Sequence, residues 1–221
     1  MRAILKTGAL IFSPETDAER QNLLQWRDSA AGHVFHFAGE SAKGAALFNL
    51  GPREEACREP INVVFDRTDP RWQPIGNLAH TPFALRGVQH ASVEGFWQGL
   101  KSLSAEDRAR VAALYGKSAK KAAATTPESE SFLYDGKVFA AGGPEHRTPM
   151  HLACRAKFWQ HEGARGALLS TGNRLLAHRT RRDSSTIPGA LMADIWMRLR
   201  DELRRLDSTD RAAVEPDPVA P

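Results

Sequence analysis

Cysteine is scarce in this chain of 221 residues, which has only Cys57 and Cys154. Two distant cysteines do not make a disulfide framework, and they lack the spacing of metal ligands. No run approaches the roughly 18 consecutive apolar residues of a membrane span, and residues 1–7 lack the apolar core of a secretory signal. The motifs GxGxxG, GxxxxGKS/T, GxSxG and HExxH are also absent. We therefore expect a cytoplasmic protein without a metal, a cofactor or a membrane partner.

The charge balance is mildly basic. Lys and Arg total 30 against 26 Asp and Glu, a formal net charge of +4, while 42% of residues are hydrophobic and 25% are charged. These fractions are typical of a soluble globular protein. The positive balance favours an anionic partner such as a nucleotide or a nucleic acid, although many basic domains of this size bind nothing anionic.

Hydrophobic patterning predicts an α+β fold that is rich in helices and carries a small β-containing element at its N-terminus. The predicted strands are 9–13, 33–37, 45–50 and 61–65, and Thr16 is expected to cap a helix between the first two. The predicted later helices are 92–103, 105–115, 151–161, 164–169 and 189–206. We expect three segments: a small α+β element over 1–60, a main domain over 61–207, and a disordered acidic, Pro-rich tail over 208–221.

Two connections between the later helices also have sequence signals. Residues 117–131 are rich in Lys, Ala, Thr, Ser and Glu and are predicted to form a mobile loop. The dipeptide Asp135-Gly136 predicts a short β-hairpin over 132–141, because both residues tolerate the left-handed backbone that a two-residue turn needs.

The predicted helix over 92–103 places polar groups on one face. At 100° per residue, Glu94, Gln98 and Lys101 fall within about 60° of one another. On the opposite side, Phe96, Leu100 and Leu103 should pack into the core. Periodicity alone favours a plain amphipathic helix with a solvated polar stripe, and a functional polar face is the alternative.

A second candidate site is a basic segment that surrounds His178 and leads into Asp183. Four arginines lie within nine residues: Arg174, Arg179, Arg181 and Arg182. Guanidinium forks suit phosphate oxygens, and nearby Ser and Thr hydroxyls add donors. The alternative is a solvated basic loop.

Several segments together resemble the NADAR (YbiA-like) family. Residues 77–101, which end in SVEGFWQGLK, are similar to its leading signature, and RAKFWQH at 155–161 is similar to a family helix. LLSTG at 168–172 and MRLR at 197–200 resemble two further family motifs. Counted from the LLSTG segment without a gap, Asp183 lies at the family's acidic position. The resemblance covers about residues 61–206.

The resemblance implies an N-glycosidase, with removal of ADP-ribose from guanine in DNA or nucleotides as the leading expectation. It assigns Glu94 as the catalytic acid and base, Lys101 as the amine that attacks the ribose C1 position, and Asp183 as an assisting carboxylate. That scheme requires a neutral lysine amine, which partial desolvation favours, and it passes through a Schiff base. The residues expected to bind substrate are Asn77, Trp97, Gln98, Arg179, Arg181 and Arg182.

Other functions stay open at this point. Within the same family, the substrate could be a ribosylamino-pyrimidine intermediate of riboflavin synthesis. The family's Trp-Gly pair is replaced by Thr186 and Ile187, which removes a stacking surface for a base and leaves room for a non-catalytic module that binds ADP-ribose or a nucleotide. Convergence of Asp183 with Glu94 and Lys101 around one cleft would favour the enzyme. A fully solvated Lys101 would favour a purely structural domain.

Overall fold

The computed structural model describes residues 1–6, 9–41, 44–53, 58–102, 104–122, 131–140 and 144–207. Cys57, Leu103 and the predicted tail over 208–221 lie outside the described residues, as does 123–130 of the predicted mobile loop. None of the helices in the described ranges combines the length and the apolar character needed to cross a membrane.

The first sixty residues contain two antiparallel hairpins separated by a helix. The elements are β1 (Arg2–Lys6), β2 (Ala9–Ser13), α1 (Asp17–Ala30), β3 (His33–Ser41) and β4 (Gly44–Pro52). The predicted cap at Thr16 is confirmed: its hydroxyl accepts from the Glu19 amide at 3.2 Å, and the Glu19 carboxylate accepts from the Thr16 amide at 3.3 Å. Phe48 and Leu50 of β4 are buried in the core that the later helices form.

The later residues supply the remaining helices and three further strand pairs. The strands are β5 (Ile61–Asn62), β6 (Phe83–Leu85), β7 (Val88–His90), β8 (Ser131–Tyr134), β9 (Lys137–Ala140) and β10 (Leu176–Ala177). The helices are α2 (Val93–Gly99), α3 (Ala105–Ala112), α4 (Gly116–Ala122), α5 (Pro144–Gln160), α6 (Glu162–Leu169) and α7 (Gly189–Asp207), with a short 3-10 helix at Gln73–Ile75. The β6–β7 and β8–β9 pairs are antiparallel hairpins, whereas β5 and β10 pair in parallel. The mixture confirms the predicted α+β class.

Several predicted elements have different bounds in the structure. Part of the predicted loop over 117–131 is wrong, because Gly116–Ala122 is the helix α4. The helix predicted to begin at His151 begins at Pro144. The predicted strand over 61–65 stops at Asn62, because the Thr68 hydroxyl accepts from the Val64 amide at 2.5 Å and lies 2.7 Å from the Val64 carbonyl oxygen. At Val64, the Thr68 hydroxyl thus takes the hydrogen bonds that a neighbouring strand would otherwise form.

Helix α2 is shorter than predicted and packs unusually closely on α3. A Cβ atom at Gly95 would lie 2.5 Å from the Leu114 carbonyl oxygen and 2.9 Å from that of Val111, so only glycine fits this approach. Phe96 and Leu100 are buried in the core, as predicted. The helix is therefore held by its apolar and glycine faces, which leaves the face that carries Glu94 to form a site.

Candidate active site

Glu94 is a buried carboxylate in the first turn of α2. Ser92 caps this helix: its hydroxyl accepts from the Gly95 amide at 2.9 Å and donates to the Leu114 carbonyl at 2.8 Å. The cap places the Glu94 side chain, 9% exposed, in the first turn of the helix. Glu94 Oε1 accepts from Gln98 Nε2 at 2.7 Å, so the i and i+4 pair predicted from spacing is formed.

The other atom of the Gln98 amide has a different environment. Gln98 Oε1 is buried and has no hydrogen-bond partner in the part of the chain that the structure describes. A buried acceptor without a donor costs free energy. The site thus contains an acceptor beside the Glu94 carboxylate that a donor on a ligand would satisfy.

Lys101 lies just beyond α2, after the cap residue Leu100. Its amide donates to the Gln98 carbonyl at 3.2 Å, which continues the chain in a tight turn beyond the cap residue Leu100. The side chain is half-buried, and Glu94 is buried, so the polar face is not the solvated stripe that a plain amphipathic helix would show.

Asn77 joins α2 to α5 and α7. Its carbonyl oxygen accepts from the Glu94 amide at 2.9 Å. Its buried side-chain amide lies among sulfur atoms, with Nδ2 at 3.1 Å from Met192 Sδ and at 3.8 Å from Met150 Sδ. The expected binding residue Asn77 is therefore also a structural junction directly behind Glu94.

Lys157 is a buried cation that the sequence reasoning missed. The side chain is 0% exposed, and Nζ donates to the carbonyl oxygens of Ile75 at 2.8 Å and Gly76 at 3.0 Å, just before Asn77. Burial lowers the pKa of Lys157 to about 7, and burial raises the pKa of the nearby Cys154 thiol to about 12. The available signal was a lysine between Cys154 and Phe158 on the apolar face of a helix.

Trp97, which the resemblance assigns to substrate binding, is 7% exposed and belongs to the hydrophobic core. Its packing fixes α2 against the helices behind it. Its role in substrate binding stays a prediction.

Asp183 caps the start of α7. Its Oδ1 accepts from the Gly189 amide at 2.8 Å and from the Ser184 amide at 2.9 Å. Gly189 packs tightly there, since an added Cβ would lie 2.0 Å from the His178 carbonyl oxygen. Among the described contacts, Glu94 is brought together with Gln98 and Asn77, whereas Asp183 is bound to the backbone at the start of α7.

A cavity of about 470 Å³ lies beside Asp183. Its lining includes His36 of β3, together with His178, Arg179 and the first residues of α7. The His178 imidazole is 2.6 Å from the Val63 carbonyl oxygen and edge-on to the Trp196 ring. Glu94, Gln98 and Lys101 line neither this cavity nor the second cavity described below.

The four arginines of the basic segment are separated by the fold. Arg174 is engaged, because Nε and Nη2 donate to the Glu59 carbonyl at 3.2 and 2.5 Å and the guanidinium lies 5.4 Å from the Trp72 ring centre. Arg179, Arg181 and Arg182 are exposed, and Arg179 lines the cavity beside Asp183. Three of the four therefore form an exposed basic surface.

Comparison with solved structures defines the class of protein. The fold matches the NMR structure of YbiA from E. coli with a TM-score of 0.52 and 20% sequence identity, over 72% of this chain and 94% of that one. The chain thus has an α+β fold like that of YbiA, which confirms the predicted fold class.

Sequence comparison gives the family. The family model of bacteriophage protein GP30.3 matches residues 71–189, and the chain belongs to this NADAR-type family. A relative is the uncharacterized 17.1 kDa protein in the Gp30-rIII intergenic region of Enterobacteria phage T4, which is 27% identical over 146 residues. That match covers 62% of this chain and 96% of the phage protein.

Proposed function

We propose that the protein is an N-glycosidase that cleaves a ribosyl N-glycosidic bond, with ADP-ribose on guanine, in DNA or in nucleotides, as the leading substrate. The observation that carries the proposal is the buried Glu94 carboxylate paired with Gln98, with the half-buried Lys101 seven residues after Glu94 in the chain. A carboxylate and an amine are the proton carrier and the nucleophile that such a cleavage requires.

The proposed reaction starts with attack of the Lys101 amine on C1 of the ribose that ADP-ribose attaches to guanine. A bond forms between Nζ and this C1 atom as its bond to the base nitrogen breaks, and the base leaves with the electron pair. Glu94 takes the proton that the amine releases and gives it to the departing base. Opening of the ribose ring produces a Schiff base, which water hydrolyses to free the sugar and restore Lys101.

Two features of the described residues support a ribosyl substrate. The unpartnered Oε1 atom of Gln98 is a hydrogen-bond acceptor suited to a sugar hydroxyl. The exposed Arg179, Arg181 and Arg182 form a basic surface suited to the diphosphate of ADP-ribose or to a DNA backbone.

Turnover and covalent trapping test the proposal. The protein is incubated with an oligonucleotide that carries ADP-ribosylated guanine, and released ADP-ribose is measured by chromatography. Glu94→Gln should lower the rate by about 10²–10⁴-fold, the usual contribution of an acid-base group. The exposed Glu106, in the first turn of α3, provides the matched control Glu106→Gln, which should keep the rate.

Borohydride distinguishes the covalent route from direct hydrolysis. Hydride reduces the Schiff base carbon to a stable amine, so trapping during turnover should add the ribosyl group to the protein at Lys101. Lys101→Arg should abolish both trapping and turnover, while Lys120→Arg on the exposed face of α4 should keep both. Full turnover in Lys101→Arg would instead indicate direct hydrolysis with Glu94 as the base.

A non-catalytic module that binds ADP-ribose or a nucleotide is the second candidate, favoured by the position of Asp183. In the described contacts, this carboxylate accepts hydrogen bonds from the Ser184 and Gly189 amides at the start of α7 and makes no contact with Glu94 or Lys101. Saturable binding of ADP-ribose without release of guanine would support the module. A parallel assay with a ribosylamino-pyrimidine phosphate tests the other family substrate.

A further inference from the structure

A second cavity, of about 350 Å³, lies on the side of α2 opposite Glu94. We call it the hairpin cavity, because the β6–β7 and β8–β9 hairpins form two of its walls while α2 and α3 form the others. Its lining is mainly apolar and includes Leu85, Phe96, Leu100, Ala109 and Leu133. The volume falls within the range of small-molecule sites.

The tips of the two hairpins are joined at this cavity by an ion pair. Arg86 Nη1 lies 2.5 Å from Asp135 Oδ1, Arg86 Nε donates to the Tyr134 hydroxyl at 3.3 Å, and both partners of the ion pair are exposed. The Arg86 guanidinium also lies over the Tyr134 ring, 5.3 Å from its centre. The charged groups thus meet where the cavity lining reaches solvent.

Both partners of this ion pair have an uncommon backbone. Arg86 and Asp135 have φ angles of 51° and 54°, and they are the non-glycine residues with positive φ in the described ranges. Each is followed by a glycine that also has positive φ, which forms a tight two-residue turn. Aspartate tolerates this conformation, but for arginine it is unfavourable, and such local strain concentrates at functional sites.

The inner part of the cavity is aromatic and contains one neutral polar group. His90 is 8% exposed, stacks on Phe83 with ring centres 5.3 Å apart, and lies edge-on to Phe96 at 5.1 Å. Burial lowers the pKa of His90 to about 4, so the imidazole is uncharged at neutral pH. The buried Nδ1 atom has no hydrogen-bond partner among the described residues. Arg108 also lines the cavity, and its Nη1 atom donates to the Ser102 carbonyl at 3.0 Å. The aromatic rings of the interior favour a flat ligand ring.

We propose that the hairpin cavity binds a small aromatic carboxylate, with its ring against Phe96 and Tyr134 and its carboxylate on Arg86. The guanidinium fork matches a carboxylate, so the ligand takes the place of Asp135. This exchange is inexpensive, because an exposed ion pair contributes little stability. The site is independent of the proposed glycosidase reaction, since it lies behind α2.

Direct binding tests the proposal without any activity measurement. Indole-3-acetate is titrated into the isotope-labelled protein and followed by amide NMR, alongside 3-methylindole, which has the ring but no carboxylate. We expect saturable shifts at Arg86, Phe96 and Tyr134 and a dissociation constant of about 1 mM or below, as for other small fragments. 3-Methylindole should bind about tenfold more weakly, because it lacks the charged hydrogen bonds.

Two variants separate the carboxylate contact from the ring contact. Arg86→Gln should weaken indole-3-acetate by about tenfold and leave 3-methylindole unchanged, since only the acid uses the guanidinium. Ala109→Phe should fill the cavity and abolish both titrations. Arg71→Gln, which breaks the exposed Arg71–Asp69 pair elsewhere, is the control and should change neither.

The proposal is overturned if indole-3-acetate gives no saturable shifts, or if Arg86→Gln binds it as the unchanged protein does. Failure of the Ala109 variant to fold would not remove the test, because Arg86→Gln changes an exposed side chain and the comparison of the two ligands stands alone.

Discussion

The buried ammonium of Lys157 lies 3.0 Å from the carbonyl oxygen of Gly76, the residue before Asn77. Asn77 in turn accepts from the Glu94 amide at 2.9 Å. Lys157 on α5 is therefore connected to the backbone of Glu94 through two hydrogen bonds, one to Gly76 and one from Glu94 to Asn77. Because neither end of this connection touches solvent freely, it holds the backbone behind Glu94 in one position.

Lys157 should make stability rise with pH above neutrality. Its pKa is about 7 in the fold against a usual value of 10.5, so between these values the unfolded chain binds more protons than the native state. The stability contribution is complete above pH 10.5 and is lost as pH falls toward 7. The free energy of unfolding, measured with urea from pH 7 to 10, should rise by about 1.4 kcal/mol per unit relative to Lys157→Met.

The same pair of proteins also tests the role of the two carbonyls. Lys157→Met leaves them without a donor, which costs about 1–3 kcal/mol each and should speed hydrogen exchange at the Glu94 amide. Lys120→Met, on an exposed surface, is the control. Parallel pH profiles for the unchanged protein and Lys157→Met would contradict the prediction.

Gly95→Ala should destabilise the protein by about 1–3 kcal/mol, because the added methyl overlaps the carbonyl oxygens of Leu114 and Val111 and α2 must move. Gly166→Ala in α6 meets nothing within 4 Å and should stabilise by about 0.5–1 kcal/mol through helix propensity. Urea unfolding of the two variants gives the comparison. Equal changes in the free energy of unfolding would show that the close contact of α2 with α3 does not contribute to stability.

Asp183 can be tested separately as a cap and as an assisting carboxylate. Asp183→Ala removes the acceptor for the Gly189 amide and should cost about 0.5–2 kcal/mol of stability, whereas Asp183→Asn keeps an acceptor and should cost less. Thermal unfolding measures the cap, and release of ADP-ribose measures the chemistry. Loss of turnover in Asp183→Asn at nearly unchanged stability would support a catalytic role, and retained turnover would leave only the structural one.

The exposed arginines should contribute to binding rather than to chemistry. Replacing Arg181 and Arg182 with Ala should weaken binding of ADP-ribose or modified DNA by about 1–3 kcal/mol for each charged hydrogen bond lost. The dependence of binding on salt should also become shallower, most clearly for DNA. Arg67→Ala with Arg110→Ala removes the same charge elsewhere and is the control. Unchanged affinity and salt dependence would indicate a solvated loop.

Local signals in the sequence were sufficient for many elements. Thr16 caps α1, Asp135-Gly136 forms the turn between β8 and β9, and the apolar repeat over 189–206 becomes α7. The polar and apolar faces of α2 were also correct, with Phe96 and Leu100 buried. Caps, turns and helical periods depend on residues within a few positions of one another, so the chain specifies them before any packing.

The tertiary structure alone decided the surroundings of the site. Lys157 meets Gly76 across 81 residues, and Asn77 meets Met192 across 115. The Asp183 carboxylate accepts from the backbone at the start of α7, because the close packing of Gly189 on His178 brings that helix end within reach, and its assisting role stays a prediction. Burial, unpartnered acceptors and shifted pKa values arise only when distant segments exclude water together, and no local pattern records that exclusion.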